Sequence, residues 1–577
     1  MRQFVLLIGF VFLAAAAGCG GGSARGPVPS SVASPGTSLA KYQVTVRIDA
    51  PKLAGTAGRR RPQYLSAATT QMVIDIQQSG GSIAGYPKTV ALTPTSGGCT
   101  STLASTSCQI IVSLAAGNYI AALTAEDASG RALSAAQSIA LTVVANAANS
   151  IALTLSGIPH ELDVASGARA VHGSQNEGLL LYGSAAQAFI VTARDVDGNI
   201  IVGPGAPTYA MSVVSGSGWT PSAPPATTPN TFTLTPPGIN GAGAVLRVTA
   251  TYPDTTCTQP GAVCTATFSV KNDIQTLFVA NLNGGTVTEY APPYTGAPTT
   301  ISLGANSPYA LTMDAAGNLF VANQLGNTVS RYAPPYTGTP ATISTGVNVP
   351  QAVALDAAGN LFVLNYEVTP GNLSFGSVTE YAPPYTATPT TILTPSGPRA
   401  LTMDAAGHLF VADWGGSVVT VYALPYDGPP TTILSGVNQP LSLAVDAAGN
   451  LFVGNYAGGY AGGTVTVYAP PYTGTPTTIS TGVSAPRSLT LDAAGNLFVG
   501  NHGNNTVTEY VPPYSGAPAT ISSGVNDPYA LTFDGMGNLF VANASGDTVT
   551  VYAPPYTGAP TTISTGVKAP FALLFTP

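Results

Sequence analysis

A five-residue motif, Leu-Phe-Val-x-Asn/Asp, recurs seven times, starting at Leu277, Leu319, Leu361, Leu409, Leu451, Leu497 and Leu539. A second, Tyr-Ala-Pro-Pro-Tyr with small variations, ends at Tyr294, Tyr336, Tyr385, Tyr426, Tyr472, Tyr514 and Tyr556. Successive copies of the first lie 42 to 48 residues apart, about the length of one four-stranded propeller blade. One unit reads as strand a (Ala310 to Met313), a turn Asp314-Ala-Ala-Gly317, strand b (Asn318 to Ala322), a loop, strand c (Thr328 to Tyr332), a Pro-stiffened turn (Pro334 to Gly338) and strand d (Ala341 to Ser344). The first copy begins at strand b, with Ile274-Gln-Thr-Leu-Phe-Val279, and lacks strand a. The last is followed by Ala569-Pro-Phe-Ala-Leu-Leu-Phe-Thr-Pro577, which matches strand a and stops. This predicts seven blades over residues 273–577, closed by pairing of the chain end with the first copy, which leaves no large open edge.

The 577 residues exceed what one core usually supports. Only 7% are charged while 45% are hydrophobic, so the surface must be Ser, Thr, Asn, Gly and Tyr. The 65 Gly and 49 Pro recur at fixed places among apolar runs, the pattern of turns between short strands, and the chain reads as all-β. Upstream of the repeats, alternation in Tyr42 to Ile48 and Ser150 to Ser156, with a turn at Asp127-Ala-Ser-Gly130, predicts a β-sandwich over 41–157. A second set of strands, including Gln187 to Arg194 and Thr265 to Val270, predicts another over 158–272. Both look immunoglobulin-like on strand count and spacing. Asp195-Val-Asp-Gly-Asn199 resembles the start of a calcium loop, but Ala206 stands where the twelfth-position Glu is needed, and an Asp-Gly hairpin turn is the better reading.

Arg2, the apolar run Phe4 to Leu13 and Ala16-Ala17-Gly18-Cys19 form a leader with a small-residue cleavage site. It resembles the lipobox of bacterial lipoproteins, with Ala16 in place of the commoner Leu. The resemblance implies removal of residues 1–18, lipidation of Cys19 and a flexible tether over 19–40. The expected location is therefore the cell envelope, outside the cytoplasm, with the membrane engaged through the lipid alone. The other four cysteines fall into two close pairs, Cys99 with Cys108 and Cys257 with Cys264. Each is expected to close a short disulfide loop worth about 2 to 3 kcal/mol in the chain-entropy model. Neither pair has the ligand spacing of a zinc site.

The net charge is -7, and the one basic cluster, Arg59 to Arg61, sits in a Gly-flanked stretch. This excludes nucleic-acid binding, which needs a broad basic footprint with stacking aromatics. The repeat itself resembles NHL-repeat propellers, which likewise run from a small-apolar strand ending in Asp, through a Gly-Asn turn, to an aromatic-rich strand ending in Asn or Asp.

Variation among the copies marks the candidate site. The Asp-x-x-Gly and Pro-Pro-Tyr turns are nearly identical, while the b-to-c loops differ, carrying Tyr366, Glu367, Trp414 and His502. The residue after the strand-a proline also varies, as Tyr309, Gln351, Arg399, Leu441, Arg487, Tyr529 and Phe571. Both sets fall on one face of a propeller. Candidate ligand-binding residues are therefore Arg399, Arg487, Tyr366, Glu367, Trp414, His502, Tyr309 and Tyr529. The turn aspartates Asp314, Asp356, Asp404, Asp446, Asp492 and Asp534 read as turn caps, and the Pro-Pro-Tyr tyrosines as packing. No catalytic residue, metal site or cofactor is assigned. Glu367, Asp413, His502, Asp527 and Asp547 lie on the variable face but are spread over several blades. The sequence points to a monomeric, lipid-anchored binding or scaffold protein for an uncharged polar ligand such as a glycan or a peptide loop. A propeller lyase or lactonase-type hydrolase acting on the same face is the alternative.

Overall fold

The computed structural model describes residues 40–576, apart from 52–68, 79–80, 93–97, 102–104, 154, 199, 202–205, 253–255, 260, 303, 369–373, 394–395 and 460–461. The leader, Cys19 and residues 20–39 of the tether lie outside the described residues, as do Arg59 to Arg61. Apart from a single 3-10 turn at Thr256–Thr258, every regular element among the described residues is a strand.

The first module is two facing sheets. One orders Cys99–Ser101, Ser105–Ala115, Lys41–Pro51 and Asn149–Leu153; the other orders Ser156–Gly157, Ala132–Val143, Gly117–Glu126, Gln71–Gln78 and Gly81–Ser82. Strict alternation along Gln71–Gln78 points Met72, Ile74 and Ile76 inward, where they meet Val44, Val46, Val112 and Leu114 of the opposite sheet in one core. Cys99 and Cys108 are directly opposed across their strands and disulfide-bonded.

The second module repeats the arrangement. Glu161–Ala165, Gln187–Arg194, Thr231–Thr235 and Thr220–Pro221 face a five-stranded sheet with Thr265–Asp273 at its centre, and Phe189, Val191, Trp219, Phe232, Leu246 and Phe268 fill the space between. Cys257 and Cys264 form the second disulfide. The Asp195 segment is a turn: Gly198 donates to the Asp195 carbonyl at 2.9 Å and adopts φ +76. Arg131 bridges this turn to its counterpart in the first module, bonding Asp127 at 2.6 Å and Asp197 at 2.7 Å.

The C-terminal region holds seven four-stranded sheets, six of them built from consecutive strands: Pro308–Ile343, Pro350–Leu393, Pro398–Ile433, Pro440–Ile479, Pro486–Ile521 and Pro528–Ile563. The remaining sheet, blade 1, joins Leu277–Asn281, Thr286–Tyr290 and Thr299–Ile301 to the last strand of the chain, Pro570–Phe575. Each innermost strand touches the next, and the closing strand touches those of blades 2 and 7, so the seven form a ring. This is a β-propeller, with the C-terminal strand completing blade 1.

Strand b reads Leu-Phe-Val without alternation because it is central in its sheet and covered by blades on both faces. All five residues of Leu319–Asn323 are buried, and the other short b strands match it. The Phe of each blade meets the Pro-Pro-Tyr ring of the next edge-on, as Phe410 meets Tyr472 at 5.4 Å and 90°. The hydroxyl of Tyr472 donates to the Gly449 carbonyl at 3.0 Å, tying its turn to the a-to-b turn of the same blade. These tyrosines are packing elements, as the repetition implies.

Blade 7 departs from the pattern where the second module rests on it. Its turn reads Asp534-Gly-Met-Gly537 instead of Asp-Ala-Ala-Gly, and a Cβ on Gly535 would sit 2.1 Å from the Tyr182 ring. Arg169 donates to the Met536 carbonyl at 2.7 Å, and Gln275 accepts from the Gly535 amide at 2.5 Å. Burial between the two bodies raises the Asp534 carboxyl above the ordinary range.

Candidate functional site

The mouth of the ring is built on a repeated latch. The Asn ending strand b is fully buried and staples its own blade: Asn501 accepts from the Ser484 amide at 2.9 Å and donates to Thr508 Oγ1 at 3.0 Å. With that side chain fixed, the amide of the next residue bonds the carbonyl before the strand-a proline, and only in blade 3 does the ladder run on through this position, pairing Tyr366 with Gly376. His502 donates to Ala485 in this way, and Trp414 to Gly397. Seven equivalent positions result, occupied by Leu282, Gln324, Tyr366, Trp414, Tyr456, His502 and Ala544. They stand beside the variable residues that follow the strand-a prolines.

Aromatic and cationic side chains concentrate on part of this double rim. Tyr309, Arg399, Trp414, Leu441, Tyr456, Arg487 and Tyr529 line a cavity of about 350 Å³. The Arg399 guanidinium lies 4.4 Å from the Tyr366 ring centre and 5.7 Å from that of Trp414, and it donates to Gln351 Oε1 and Tyr366 Oη, each at 3.3 Å. Arg487 lies 4.9 Å from the Tyr529 ring centre. Tyr529 stacks on Phe571 at 3.8 Å and shares a short hydrogen bond with the Tyr309 hydroxyl. Burial, then the Tyr309 contact, pushes the Tyr529 phenol well above its usual range, so it stays a neutral hydrogen-bonding group.

The other predicted residues lie apart from this cavity. Glu367 is exposed and is not among its lining residues. His502 points instead at Asp527 of the next blade, with Nδ1 against Oδ1 in a short hydrogen bond. Asp413 is 6% exposed because it occupies the motif's Asn position: Oδ2 accepts from the Ser396 amide at 3.0 Å and Oδ1 from Gly416 at 3.0 Å. Asp547 is taken up by the Ala569 amide at 2.7 Å and Lys568 at 3.0 Å. Among the described residues no three His, Cys, Asp or Glu side chains cluster. The turn aspartates cap as expected, Asp314 Oδ1 accepting from the Ala316 and Asn318 amides. Tyr456 is a lining residue not among the candidates from the sequence, although its place directly after Leu-Phe-Val-x-Asn marks it as the equivalent of Trp414.

No protein-family model and no curated protein sequence matches the chain. Among solved structures it is similar to a streptogramin B lyase, at 13% identity over 50% of this chain and 87% of that one, with a TM-score of 0.38. A putative 6-phosphogluconolactonase from Bacteroides fragilis aligns at 15% identity over 53% and 98%, with a TM-score of 0.42. A protein of unknown function from Desulfotomaculum acetoxidans aligns at 14% identity over 52% and 98%, with a TM-score of 0.43. At such values the propeller assignment rests on this chain's own sheet order and ring closure.

Proposed function

We propose that this chain is an exported, lipid-anchored binding protein that presents the mouth of its propeller to a ligand, with the two sandwiches holding the propeller away from the membrane. One observation supports the reading: seven blades of near-identical parts diverge at two equivalent rim positions, and half of those side chains, most of them aromatic or Arg, line one cavity. Rigid aromatic and Arg side chains in a concave mouth are common anchors of recognition. Screening saccharides and peptides against the full chain should give ligands whose binding is weakened at least ~tenfold by Trp414→Ala. Binding that survives Trp414→Ala and Arg399→Ala but is lost on altering the Pro-Pro-Tyr turns would place the site on the opposite face. The anchor has its own test: Cys19→Ser should abolish acyl labelling and membrane partition, and unchanged partition would refute the anchor.

Catalysis on the same face is the second reading, favoured by the His502–Asp527 pair, since a carboxylate that orients an imidazole is a recurring part of general-base sites. It requires turnover of a lactone or cyclic ester that His502→Gln abolishes while Trp414-dependent binding persists.

A further inference from the structure

We infer that the mouth recognises a small ring-bearing carboxylate, its carboxylate taken by Arg399 and Arg487 and its ring face laid against Trp414 and Tyr456. This rests on the reading that the mouth is a binding site and specifies the chemistry of its ligand.

The propeller keeps little positive charge, and half of it is at the mouth. From residue 273 onward the chain has four Lys and Arg residues: Arg331, Arg399, Arg487 and Lys568. Arg331 lies 3.9 Å from Asp314, 5.7 Å from the Phe320 ring centre and 5.5 Å from that of Tyr385. Lys568 pairs with Asp547. The other two line one cavity, and among the described residues neither has a carboxylate partner. Two like charges sharing a cavity repel each other, and among the described residues they are offset by the faces of Tyr366, Trp414 and Tyr529 and by no anion.

Their donors are also underused. A guanidinium offers five N–H groups. Arg399 places two, through long bonds to Gln351 and Tyr366, and the Nε atoms of both arginines are shielded from solvent with no acceptor among the described residues. Hydrogen bonds from a guanidinium to a carboxylate are roughly twice as strong as neutral ones, so a carboxylate entering the cavity gains from the terminal N–H groups that remain on both arginines.

The neighbourhood favours a carboxylate over a phosphate. Phosphate sites draw on free backbone amides, in helix N-termini or turn nests. At this rim the amides of Tyr366, Trp414, Tyr456 and His502 are all spent on carbonyls, and no helix begins nearby. The rest of the wall is Tyr309, Trp414, Leu441, Tyr456 and Tyr529, which suits the flat face of a ring. A volume of about 350 Å³ is at the small end of ligand sites and holds one ring with its acid group. An acidic sugar and an aromatic acid share this chemistry. Composition alone favours an uncharged ligand; the local imbalance of charge at the mouth changes that expectation.

The test uses the full chain and matched probes, measured by calorimetry: glucuronate against glucose, benzoate against benzamide, and inorganic phosphate. At least one acid should bind ~tenfold or more tightly than its neutral partner, and whichever acid binds tells sugar from aryl recognition. Arg487→Gln and Arg399→Gln should each remove that preference, Arg487→Lys should restore part of it, and Trp414→Ala should weaken both members of the pair. Neutral partners binding as tightly as the acids, phosphate binding more tightly than either acid, or no binding of either acid at millimolar concentration would each overturn the carboxylate assignment while leaving the mouth open to uncharged ligands. Acid binding unaffected by all four variants would overturn the site as well. Variants are compared only where the melting temperature matches the parent; Arg487→Lys serves if the Gln variants unfold.

Discussion

At the scale of single residues, the blades are tuned in pairs across the ladder. In blades 2, 4 and 7 the residues facing each other near the rim are Ala310 with Ala322, Ala400 with Ala412, and Ala530 with Ala542. In blade 5 the pair is Ser442 with Gly454, and in blade 6 Ser488 with Gly500. The exchange is steric, because a Cβ on Gly454 would lie 2.2 Å from Ser442 Oγ. Both serine hydroxyls are buried without a hydrogen-bond partner, a cost of roughly 1–3 kcal/mol each. Gly454→Ala alone should therefore destabilise the chain by about 1–3 kcal/mol through overpacking. The double variant Ser442→Ala with Gly454→Ala recreates the pair of blades 2, 4 and 7 and should melt at or above the parent. Urea unfolding of the two variants checks this; a double variant no more stable than Gly454→Ala would show that the two positions are not coupled.

At the scale of the element, each blade is stapled by the residue that ends strand b, Asn in six blades and Asp413 in blade 4. Asn501 is fully buried and spends its oxygen on the Ser484 amide and its nitrogen on Thr506 and Thr508. Asn501→Ala should strand those groups and cost about 2–4 kcal/mol, whereas Asn501→Asp should cost less, since Asp413 fills the same place in blade 4 by keeping the acceptor and recruiting the Gly416 amide. Chemical denaturation of the two variants decides, and equal losses would argue against the oxygen as the essential atom. This staple also explains what the sequence made legible. Blade count, strand order and the packing role of the Pro-Pro-Tyr rings follow from periodicity, which is a property of the chain itself. Asp413 reads from sequence as a carboxylate on the variable face, but its motif position fixes it as a staple. The cavity was half legible: Arg399, Arg487, Trp414, Tyr309 and Tyr529 stand out as unpatterned residues, yet which of them meet depends on ring curvature. Asp527 holds His502 aside, Glu367 sits one step further along its strand, opposite Phe375, and Tyr456 reaches the cavity. Gly535 had a signal too, the single Asp-Gly-Met-Gly turn, whose cause is a partner module no local pattern contains.

At the scale of the whole molecule, the ring stands on a strand supplied from the far end of the chain. Pro570–Phe575 pairs with Leu277–Asn281, setting Phe575 against Leu277 and Leu573 against Val279, and Thr276 and Thr576 exchange bonds of 2.9 and 3.0 Å beyond the ladder. Blade 7 fastens the junction: Asp547 accepts from the Ala569 amide and from Lys568, while the Asn281 oxygen accepts from the Lys568 amide at 2.9 Å. The Ala569 amide, then the Lys568 ammonium, hold the Asp547 carboxyl below its ordinary range. A carboxyl depressed in the folded state binds fewer protons there than in the unfolded chain. Its contribution is therefore present above the ordinary carboxylate value of about 4 and is lost as pH falls through the lower folded value. Asp547→Asn keeps the acceptor for Ala569 and removes the charge, so it should lower the melting temperature slightly near neutral pH, with the gap to the parent shrinking in acid. Deleting residues 569–577 removes the strand altogether, exposes the edge of Leu277–Asn281 and should cause a large fall in melting temperature or aggregation. Thermal melts of parent, Asp547→Asn and the truncation between neutral and acidic pH separate the two effects. A truncated chain that melts like the parent would exclude the strand as what closes the ring, and a gap for Asp547→Asn that persists unchanged in acid would exclude the charge from the latch.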